Sequence, residues 1–309
     1  MYNVPIGIIF FNRPDKLKNL FKIIKKIEPK ELFLIQDGPR IDRKTQDIEK
    51  INECRLVFDD IDWECEVHRN YSEINLGCGL RPASGIDWIF DKVEQCIILE
   101  DDCIPNVSFF YFCEELLNKY KNDEQVMLIS GMNLLNSFPC KESYFFSQAC
   151  TIGAWATWKR AWKHYDFNME AFDSKKTKKI LKKKFINKNM MISKFSSWDI
   201  TRRKLKKNEK IDWWDYQFHM QLFLRDGLGI VPKYNLVKNI GYGDDASNVS
   251  DENAVHFNLS INDLSFPLIH PSKIICNKEF DSILFKQQFK NVSKIRVLLS
   301  YVKRIIQYK

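Results

Sequence analysis

The sequence lacks the features that would place a protein in a membrane, outside the cell or around a structural zinc ion. No stretch approaches the roughly 18 apolar residues that span a bilayer, and the apolar N-terminal run has no basic region ahead of it, unlike a signal peptide. The nine cysteines form no C-x-x-C pair or other zinc-ligand spacing. These absences predict a cytoplasmic protein whose cysteines include small buried hydrophobes.

Acidic residues are scarce in two segments of a chain whose formal net charge is +8. Residues 159–210 contain 18 Lys or Arg and five Asp or Glu, and residues 282–309 contain no acid. A basic surface attracts phosphates, anionic lipid or nucleic acid, although a solvated face explains the excess equally well. Basic segments alone specify no nucleic-acid fold, so we expect no nucleic-acid partner.

The first half of the sequence alternates short apolar runs with amphipathic stretches. Alternation of this kind predicts an α/β fold with a mainly parallel sheet flanked by helices, which binds ligands beyond the carboxyl ends of its strands. Arg13, Asp37 and an acidic cluster at Glu100 each follow a predicted strand. The predicted strands are 4–11, 32–35, 64–70 and 95–99, and the predicted helices are 15–27, 82–93 and 107–120.

The second half is less regular. Its predicted strands are 127–129 and 144–146, and its predicted helices are 154–164, 174–194 and 215–226. Residues 282–309 are predicted to form a basic amphipathic helix. Its apolar stripe contains Phe285, Phe289, Val292, Ile295, Leu299, Val302 and Ile306.

Three acids, Glu100, Asp101 and Asp102, follow the fourth predicted strand. In a partly desolvated cleft, neighbouring carboxylates repel one another by roughly a few kcal/mol. Mn²⁺ or Mg²⁺ would remove this repulsion, because both ions prefer oxygen ligands and leave room for substrate phosphates. Alternatively, the negative charges of the acids could stabilise the N-terminus of helix 107–120 through its dipole. This is less favoured because Pro105 and the better cap, Asn106, separate them from it.

The segment CIILEDDCIP at 96–105 resembles the D-x-D region of GT-A glycosyltransferases, in the E-D-D form of N-acetylglucosaminyltransferase I. The motifs are also similar to those of bacterial family-two-like sugar transferases. Four further segments also resemble parts of the family. Residues 9–14 resemble its first strand and nucleotide-binding turn, and residues 33–38 resemble its second strand. Residues 75–81 resemble its donor loop, and residues 211–216 resemble its W-D-D-W segment. The resemblance implies a Rossmann-like GT-A fold over residues 1–281, with a nucleotide-binding half at 1–125 and an acceptor-side half at 126–281.

The resemblance also implies roles for the matching residues. Asp102 would bind the metal, and Asp215 would be the general base, a role for which Asp212 is the rival. The donor would contact Phe11, Arg13, Asp37, Arg81, Glu100 and Asp101, with Arg13 at the diphosphate and Asp37 at the base; Trp155 and Trp214 would contact the acceptor. Each residue also has a structural alternative: a turn residue (Arg13, Asp37), a loop cation (Arg81), a helix N-cap (Asp215) or core packing (the tryptophans).

One feature of the relatives is missing. Many of them carry a histidine soon after a glycine-rich segment that resembles residues 239–243, and Ala246, Ser247 and Asn248 stand at that place here. His256 or His270 could complete the metal shell instead, although a lone histidine is usually structural.

The function expected from the sequence is that of an inverting, metal-dependent glycosyltransferase, specifically a hexosyltransferase of bacterial polysaccharide biosynthesis. It would move a sugar from a nucleotide diphosphate to a hydroxyl of a glycan or lipid-linked acceptor. The resemblance to the family implies that the nucleotide is UDP. Two alternative functions are less favoured. A sugar nucleotidylyltransferase needs a glycine-rich loop after the first strand, and this sequence has no such loop there. A non-catalytic carbohydrate-binding protein would not need the three neighbouring acids. Helix 282–309 would either meet an anionic membrane peripherally or fold back on the domain.

Overall fold

The computed structural model describes residues 1–184, 188–241, 259–288, 299 and 301–302. Within these ranges the strands are β1 (Ile6–Phe10), β2 (Glu31–Gln36), β3 (Glu66–Tyr71), β4 (Gln95–Glu100), β5 (Cys103–Pro105), β6 (Val126–Ser130), β7 (Tyr144–Ser147), β8 (Trp155–Trp158), β9 (Leu228–Pro232) and β10 (Val237–Asn239). The helices are α1 (Pro14–Ile27), α2 (Lys44–Leu56), α3 (Gly77–Phe90), α4 (Val107–Lys119), α5 (Lys159–Trp162), α6 (Ser174–Lys184), α7 (Lys188–Lys206), α8 (Asp215–Leu224) and α9 (Lys278–Gln288). Among these helices, none is long and apolar enough to cross a bilayer.

A central eight-stranded sheet has the order β3-β2-β1-β4-β8-β6-β9-β7. Strands β3, β2, β1 and β4 are parallel, as is the pair β6 and β9, whereas β8 and β7 run antiparallel to their neighbours. The predicted α/β fold with a mainly parallel sheet flanked by helices is therefore confirmed. The order of the strands reverses between β1 and β4, and this switch point is where open α/β sheets bind ligands.

The first half of the sheet follows from simple sequence patterns. All five residues of β1 are buried, as expected of a strand that is covered on both faces. Helix α1 begins with Pro14, whose missing N–H costs nothing in the first turn, and it ends at Glu28 in the left-handed conformation. Its buried residues lie on one stripe against the sheet: Leu17, Leu20, Phe21, Ile24 and Ile27.

The predicted helix at 154–164 is wrong. Residues Trp155–Trp158 form the fully buried strand β8 between β4 and β6, and only Lys159–Trp162 is helical. The spacing of Trp155, Trp158 and Trp162 imitates a helical stripe. Aromatic residues nevertheless favour a strand that can be packed on both faces, and the centre of the sheet provides one.

Two other predicted helices have different bounds. Helix α3 begins at Gly77, inside the glycine loop, and not at residue 82. The stretch 174–194, predicted as one helix, contains α6 and the first part of α7, and it contributes to a second small core. The buried members of that core are Met169, Leu181, Phe195, Trp198, Met220 and Phe223.

The C-terminal helix begins at Lys278, ahead of the predicted boundary at residue 282. Phe280 and Leu284 are each 1% exposed, so this first part of the segment packs on the main domain. Among the predicted stripe residues, Phe285 is buried, Leu299 and Val302 are exposed, and the rest lie outside the described residues. A separate unit at 282–309 stays a prediction.

Replacing Phe280 tests how α9 is held. The ring of Phe280 contacts those of Phe138 and Phe145, with centroids 5.5 and 4.6 Å away. Phe280→Ala is expected to lower the free energy of unfolding by about 3–5 kcal/mol, because it leaves a cavity in the core. The control Ile275→Ala removes a side chain that is 63% exposed. It should change the free energy of unfolding by about 0.5 kcal/mol or less. Equal effects in guanidinium denaturation would show that α9 is not docked as described.

Candidate active site

The switch point brings together the residues that follow β1 and β4. These two strands are neighbours in parallel register, with Ile9 beside Glu100. Phe11 and Arg13 therefore lie next to Glu100, Asp101 and Asp102 at one edge of the sheet. The sequence predicted this convergence from the ends of the strands alone.

Arg13 makes ion pairs with two of the three acids. Its Nη2 pairs with Asp101 Oδ1, its Nε donates to Asp101 Oδ2 over 3.2 Å, and Nη2 lies 3.0 Å from Asp102 Oδ2. Asp101 is 2% exposed, and this two-point contact supplies the counter-charge that a buried carboxylate needs. The predicted contact of Arg13 with a diphosphate stays a prediction; in the structure the guanidinium organises the acids.

Glu100 has no comparable partner. Its carboxylate makes no hydrogen bond or ion pair with any residue that the structure describes. Burial raises the pKa of Glu100 well above its usual range, and the charges of Asp102 and Asp101 raise it further. A divalent cation would relieve this repulsion and hold the carboxylate ionised.

Lys16 is a second cation near the acids, and sequence reasoning missed it. Its Nζ is buried without a hydrogen-bond partner among the described residues. Burial raises the pKa of Asp101 to about 6, whereas Arg13, and more weakly Lys16, lower it. The signal was present in the sequence, because Lys16 lies in the first turn of α1, three residues after Arg13.

Asp102 is held from the side of β10, and its predicted contact with a metal stays a prediction. Strand β10 pairs with β5, and the Ile240 N–H donates to the Asp102 carbonyl over 2.8 Å. A Cβ at Gly241 would overlap Asp102 Oδ2, so the backbone of residue 241 passes close to this carboxylate. The carboxylates of Asp102 and Glu100 offer hard oxygen ligands, which fit Mn²⁺ or Mg²⁺.

The acidic cluster is not a complete metal site by itself. Among the described residues, one group of three carboxylate, thiol or imidazole ligands has its ligand atoms within 4.8 Å of one another, and it consists of Glu31, Glu66 and His68. That group lies at the start of β2 and β3, away from the switch point. A site with one or two carboxylates is nevertheless normal for Mg²⁺, because substrate phosphates and water supply the other ligands.

Asp37 holds the glycine loop that opens α3. Its carboxylate accepts hydrogen bonds from the backbone N–H groups of Leu76 and Gly77, both over 2.8 Å, and from Asn75 Nδ2 over 3.1 Å. The side chain also accepts from the N–H of Gly38 over 2.9 Å. The predicted contact of Asp37 with the nucleobase stays a prediction, and the structure assigns its oxygens to this loop.

Arg81 and Phe11 occupy supporting positions. Arg81 is 5% exposed, and it donates to the carbonyl of Gln36 over 3.1 Å and to Asn70 Oδ1 over 2.9 Å, so it ties together the ends of β2 and β3. Phe11 is half-buried beneath the guanidinium of Arg40, whose carbon lies 5.3 Å from the ring centroid. For both residues, donor contact stays a prediction.

The glycine loop in turn positions the segment ahead of α8. A Cβ at Gly79 would overlap the carbonyl oxygen of Ile211 and crowd that of Trp213, so the two backbones touch only because residue 79 is glycine. Asp37 fixes the loop, the loop fixes this segment, and the segment leads directly into Asp215. The base candidate is thus held through contacts between residues far apart in the sequence.

Asp215 lies at the start of α8, near enough to the acidic cluster for its charge to act on Glu100. It is the first residue of the helix, and Trp214, which makes no side-chain capping bond, is the N-cap, so the N-cap interpretation of Asp215 is wrong. The charge of Asp215 raises the pKa of Glu100, which places the two carboxylates in one electrostatic neighbourhood. The rival, Asp212, is exposed beside Cys78 of the glycine loop.

The surroundings of Asp215 suit a proton acceptor. Burial raises its pKa, although the side chain keeps 37% exposure, and the charge of Lys194 lowers the pKa in part. His219 Nδ1 lies 4.0 Å from Asp215 Oδ2, and the other ring nitrogen lies 2.9 Å from the carbonyl oxygen of Cys150. Burial lowers the pKa of His219 to about 3, so its imidazole is neutral and does not neutralise Asp215.

The tryptophans predicted to bind the acceptor lie in the core. Trp155 is 0% and Trp214 is 6% exposed, and their ring centroids lie 5.9 Å apart. Trp155 also packs on Trp162 and Phe218. Acceptor contact by either indole stays a prediction, and it would require the core to open.

The two late histidines differ in what the structure shows. His270 Nδ1 contacts the hydroxyl of Tyr144 at 2.9 Å, and its Nε2 lies 3.1 Å from Glu115 Oε1. Both ring nitrogens are therefore engaged, and His270 has a structural role. His256 and residues 246–248 lie outside the described residues.

Comparisons with known proteins give only distant similarities. No protein-family model and no curated protein matches the sequence. A structure of TarS from S. aureus is 14% identical with a TM-score of 0.34, and the match covers 54% of this chain but only 30% of that one. HddC from Yersinia pseudotuberculosis complexed with GMP-PN is 12% identical (TM-score 0.32, covering 52% and 78%), and UDP-glucose pyrophosphorylase complexed with UDP-glucose is 10% identical (TM-score 0.36, covering 75% and 91%). Similarity this low says nothing about activity, which must be argued from the site.

Proposed function

We propose that this protein is a metal-dependent glycosyltransferase that uses a nucleotide-diphosphate sugar. The observation that carries the proposal is Glu100, a carboxylate at the switch point of the sheet that makes no ion pair or hydrogen bond with any described residue, although the charges of Asp102, Asp101 and Asp215 raise its pKa. Such an arrangement suits a site that receives a cation together with its substrate.

The three acids and the side chains of Arg13 and Lys16 would have different roles in binding the donor. Asp102 and Glu100 would hold Mn²⁺ or Mg²⁺, which supplies Lewis-acid stabilisation of the departing diphosphate when it is bound. Arg13 keeps Asp101 ionised and in place, and Lys16 adds a positive charge at the same edge. Phosphate oxygens would meet these cations once the donor occupies the crevice.

Asp215 would take the proton from the acceptor hydroxyl as the hydroxyl oxygen bonds to the anomeric carbon. Its raised pKa brings the carboxylate closer to the pH at which general bases work best. One base without a protein nucleophile implies a single displacement with inversion at the anomeric carbon. UDP is the proposed nucleotide, and a glycan or lipid-linked hydroxyl is the proposed acceptor.

The products separate this proposal from the other classes considered. Incubation with a panel of nucleotide sugars, Mn²⁺ and hydroxyl acceptors should release a nucleoside diphosphate as the sugar passes to an acceptor hydroxyl. A nucleotidylyltransferase would instead use a sugar phosphate and a nucleoside triphosphate and yield pyrophosphate. A carbohydrate-binding protein would release no nucleotide. Pyrophosphate, or no product with any donor, would refute the proposed transfer.

Peripheral association with an anionic membrane is part of the same proposal, because residues 282–309 contain no acid. Cosedimentation should be stronger with vesicles that contain phosphatidylglycerol than with neutral phosphatidylcholine vesicles, and added salt should weaken it. Equal pelleting with both kinds of vesicle would remove this part of the proposal.

A further inference from the structure

A small cavity lies beside Asp215, between α7 and α8. Its volume is about 150 Å³, enough for about five water molecules at roughly 30 Å³ each. The size suits a carboxylate or phosphate group on a sugar. The lining residues are Met190, Ser193, Lys194, Ser197, Trp198, Tyr216 and His219.

Lys194 is the cavity's distinctive residue. Its ammonium group makes no hydrogen bond or ion pair within the described part of the chain. Burial lowers its pKa, while the charge of Asp215 raises it. The carboxylate of Asp215 is close enough to raise the pKa of Lys194, but it is not close enough to form an ion pair. The lysine therefore has no direct counter-ion.

The other groups that line the cavity do not supply the missing negative charge. The serines are neutral, and Ser197 Oγ donates to the carbonyl of Ser193 over 3.1 Å. His219 is uncharged at neutral pH because burial lowers its pKa to about 3. An ammonium in such a setting is stabilised by an anion that enters with a ligand.

The surface near the cavity favours an anionic ligand as well. Helix α6, which packs against α7 and α8, carries seven lysines and no acid. The last turn of α7 adds Arg203, Lys204 and Lys206. A field of one sign raises the local concentration of an oppositely charged ligand and speeds its association.

We propose that the acceptor carries an acidic group, a carboxylate or a phosphate ester, and that this group enters the cavity and pairs with Lys194. The pairing would turn a neighbouring hydroxyl of the same acceptor toward Asp215. The inference rests on the proposed transferase activity, but the binding of the anion does not need a donor and is tested separately.

The test compares three small probes by ligand-observed NMR without nucleotide: p-nitrophenyl β-D-glucuronide, p-nitrophenyl phosphate and the neutral p-nitrophenyl β-D-glucoside. At least one charged probe should bind the wild-type chain more tightly than the glucoside does. Lys194→Gln should weaken its binding by about tenfold or more and leave the glucoside unchanged. The charged probe that responds distinguishes a uronic acid from a phosphorylated acceptor.

Lys206→Gln is the matched control, since it removes an exposed lysine from the same helix. It should leave every affinity near the wild-type value. Lys194→Met provides a second variant of similar length if the glutamine variant unfolds, and thermal melting checks both. Equal binding of all three probes, or equal losses in the two glutamine variants, would overturn the proposal.

Nucleoside diphosphate release, measured on the same samples with a nucleotide sugar, separates this inference from the proposed function. Selective anion binding without any release would refute the transferase and with it the acceptor role of the cavity. Release without selective anion binding would refute only the role of Lys194.

Discussion

Asp215→Asn is expected to lower the rate of sugar transfer by about 10²–10⁴-fold while nucleotide binding stays at the wild-type level. The amide has the shape of the carboxylate but cannot accept the proton of the acceptor hydroxyl. The turnover number at saturating donor measures the loss, and titration calorimetry measures nucleotide binding. The control Asp212→Asn changes an exposed acid three residues earlier and should keep most of the activity.

The same residue fixes the sign of the pH dependence. Burial raises the pKa of Asp215 above the ordinary value of about 3.9. The carboxylate is the active form, so activity should be complete above that raised pKa and fall as the pH drops through it. A rate that survives in Asp215→Asn, or an acid limb that persists in this variant unchanged, would assign the base elsewhere.

Asp102→Asn is expected to weaken Mn²⁺-dependent nucleotide binding by about 100-fold or more, since even residues that only support a metal ligand contribute about 10- to 100-fold to affinity. The fold should survive, because Arg13 keeps its two contacts with Asp101. Calorimetric titration of the nucleotide with Mn²⁺ present checks the effect.

Asp15→Asn is the control for that variant. It removes a negative charge from α1, two residues after Arg13, where the side chain is 96% exposed. It should leave nucleotide affinity within about twofold of the wild-type value, because an exposed charge is screened by solvent and salt. Equal losses in the two variants would mean that Asp102 acts only through the overall charge and binds no metal.

The sequence predicted those parts of the molecule that depend on local periodicity. The burial of β1 and β4 is visible as continuous apolar runs, and parallel strands bring their carboxyl ends to one edge. That reasoning places Arg13 beside Asp101 and Asp102 from the sequence alone. Strand β8 was missed because its tryptophan spacing fits a helix until the neighbouring strands are known.

The rest of the site depends on contacts that no local pattern contains. Asp37 looks like a turn residue, yet its carboxylate binds backbone groups 39 and 40 residues later. Glycine is needed at position 79 because a side chain there would overlap the carbonyl oxygen of Ile211, which lies in the second half of the chain. Lys194 appeared to be one more lysine of a basic stretch, and only the packing of α7 on α8 places it beside Asp215.

The affinity of the protein for Mn²⁺, measured with and without nucleoside diphosphates, tests the central claim most directly. Because coupling between two ligands is reciprocal, a cation that Asp102 and Glu100 would hold together with a diphosphate should bind more tightly when the nucleotide is present. Counting free Mn²⁺ by electron paramagnetic resonance gives both affinities. We expect one nucleotide to raise Mn²⁺ affinity by about tenfold or more, which corresponds to typical coupling free energies. An Mn²⁺ affinity that no nucleotide changes would contradict the proposed site.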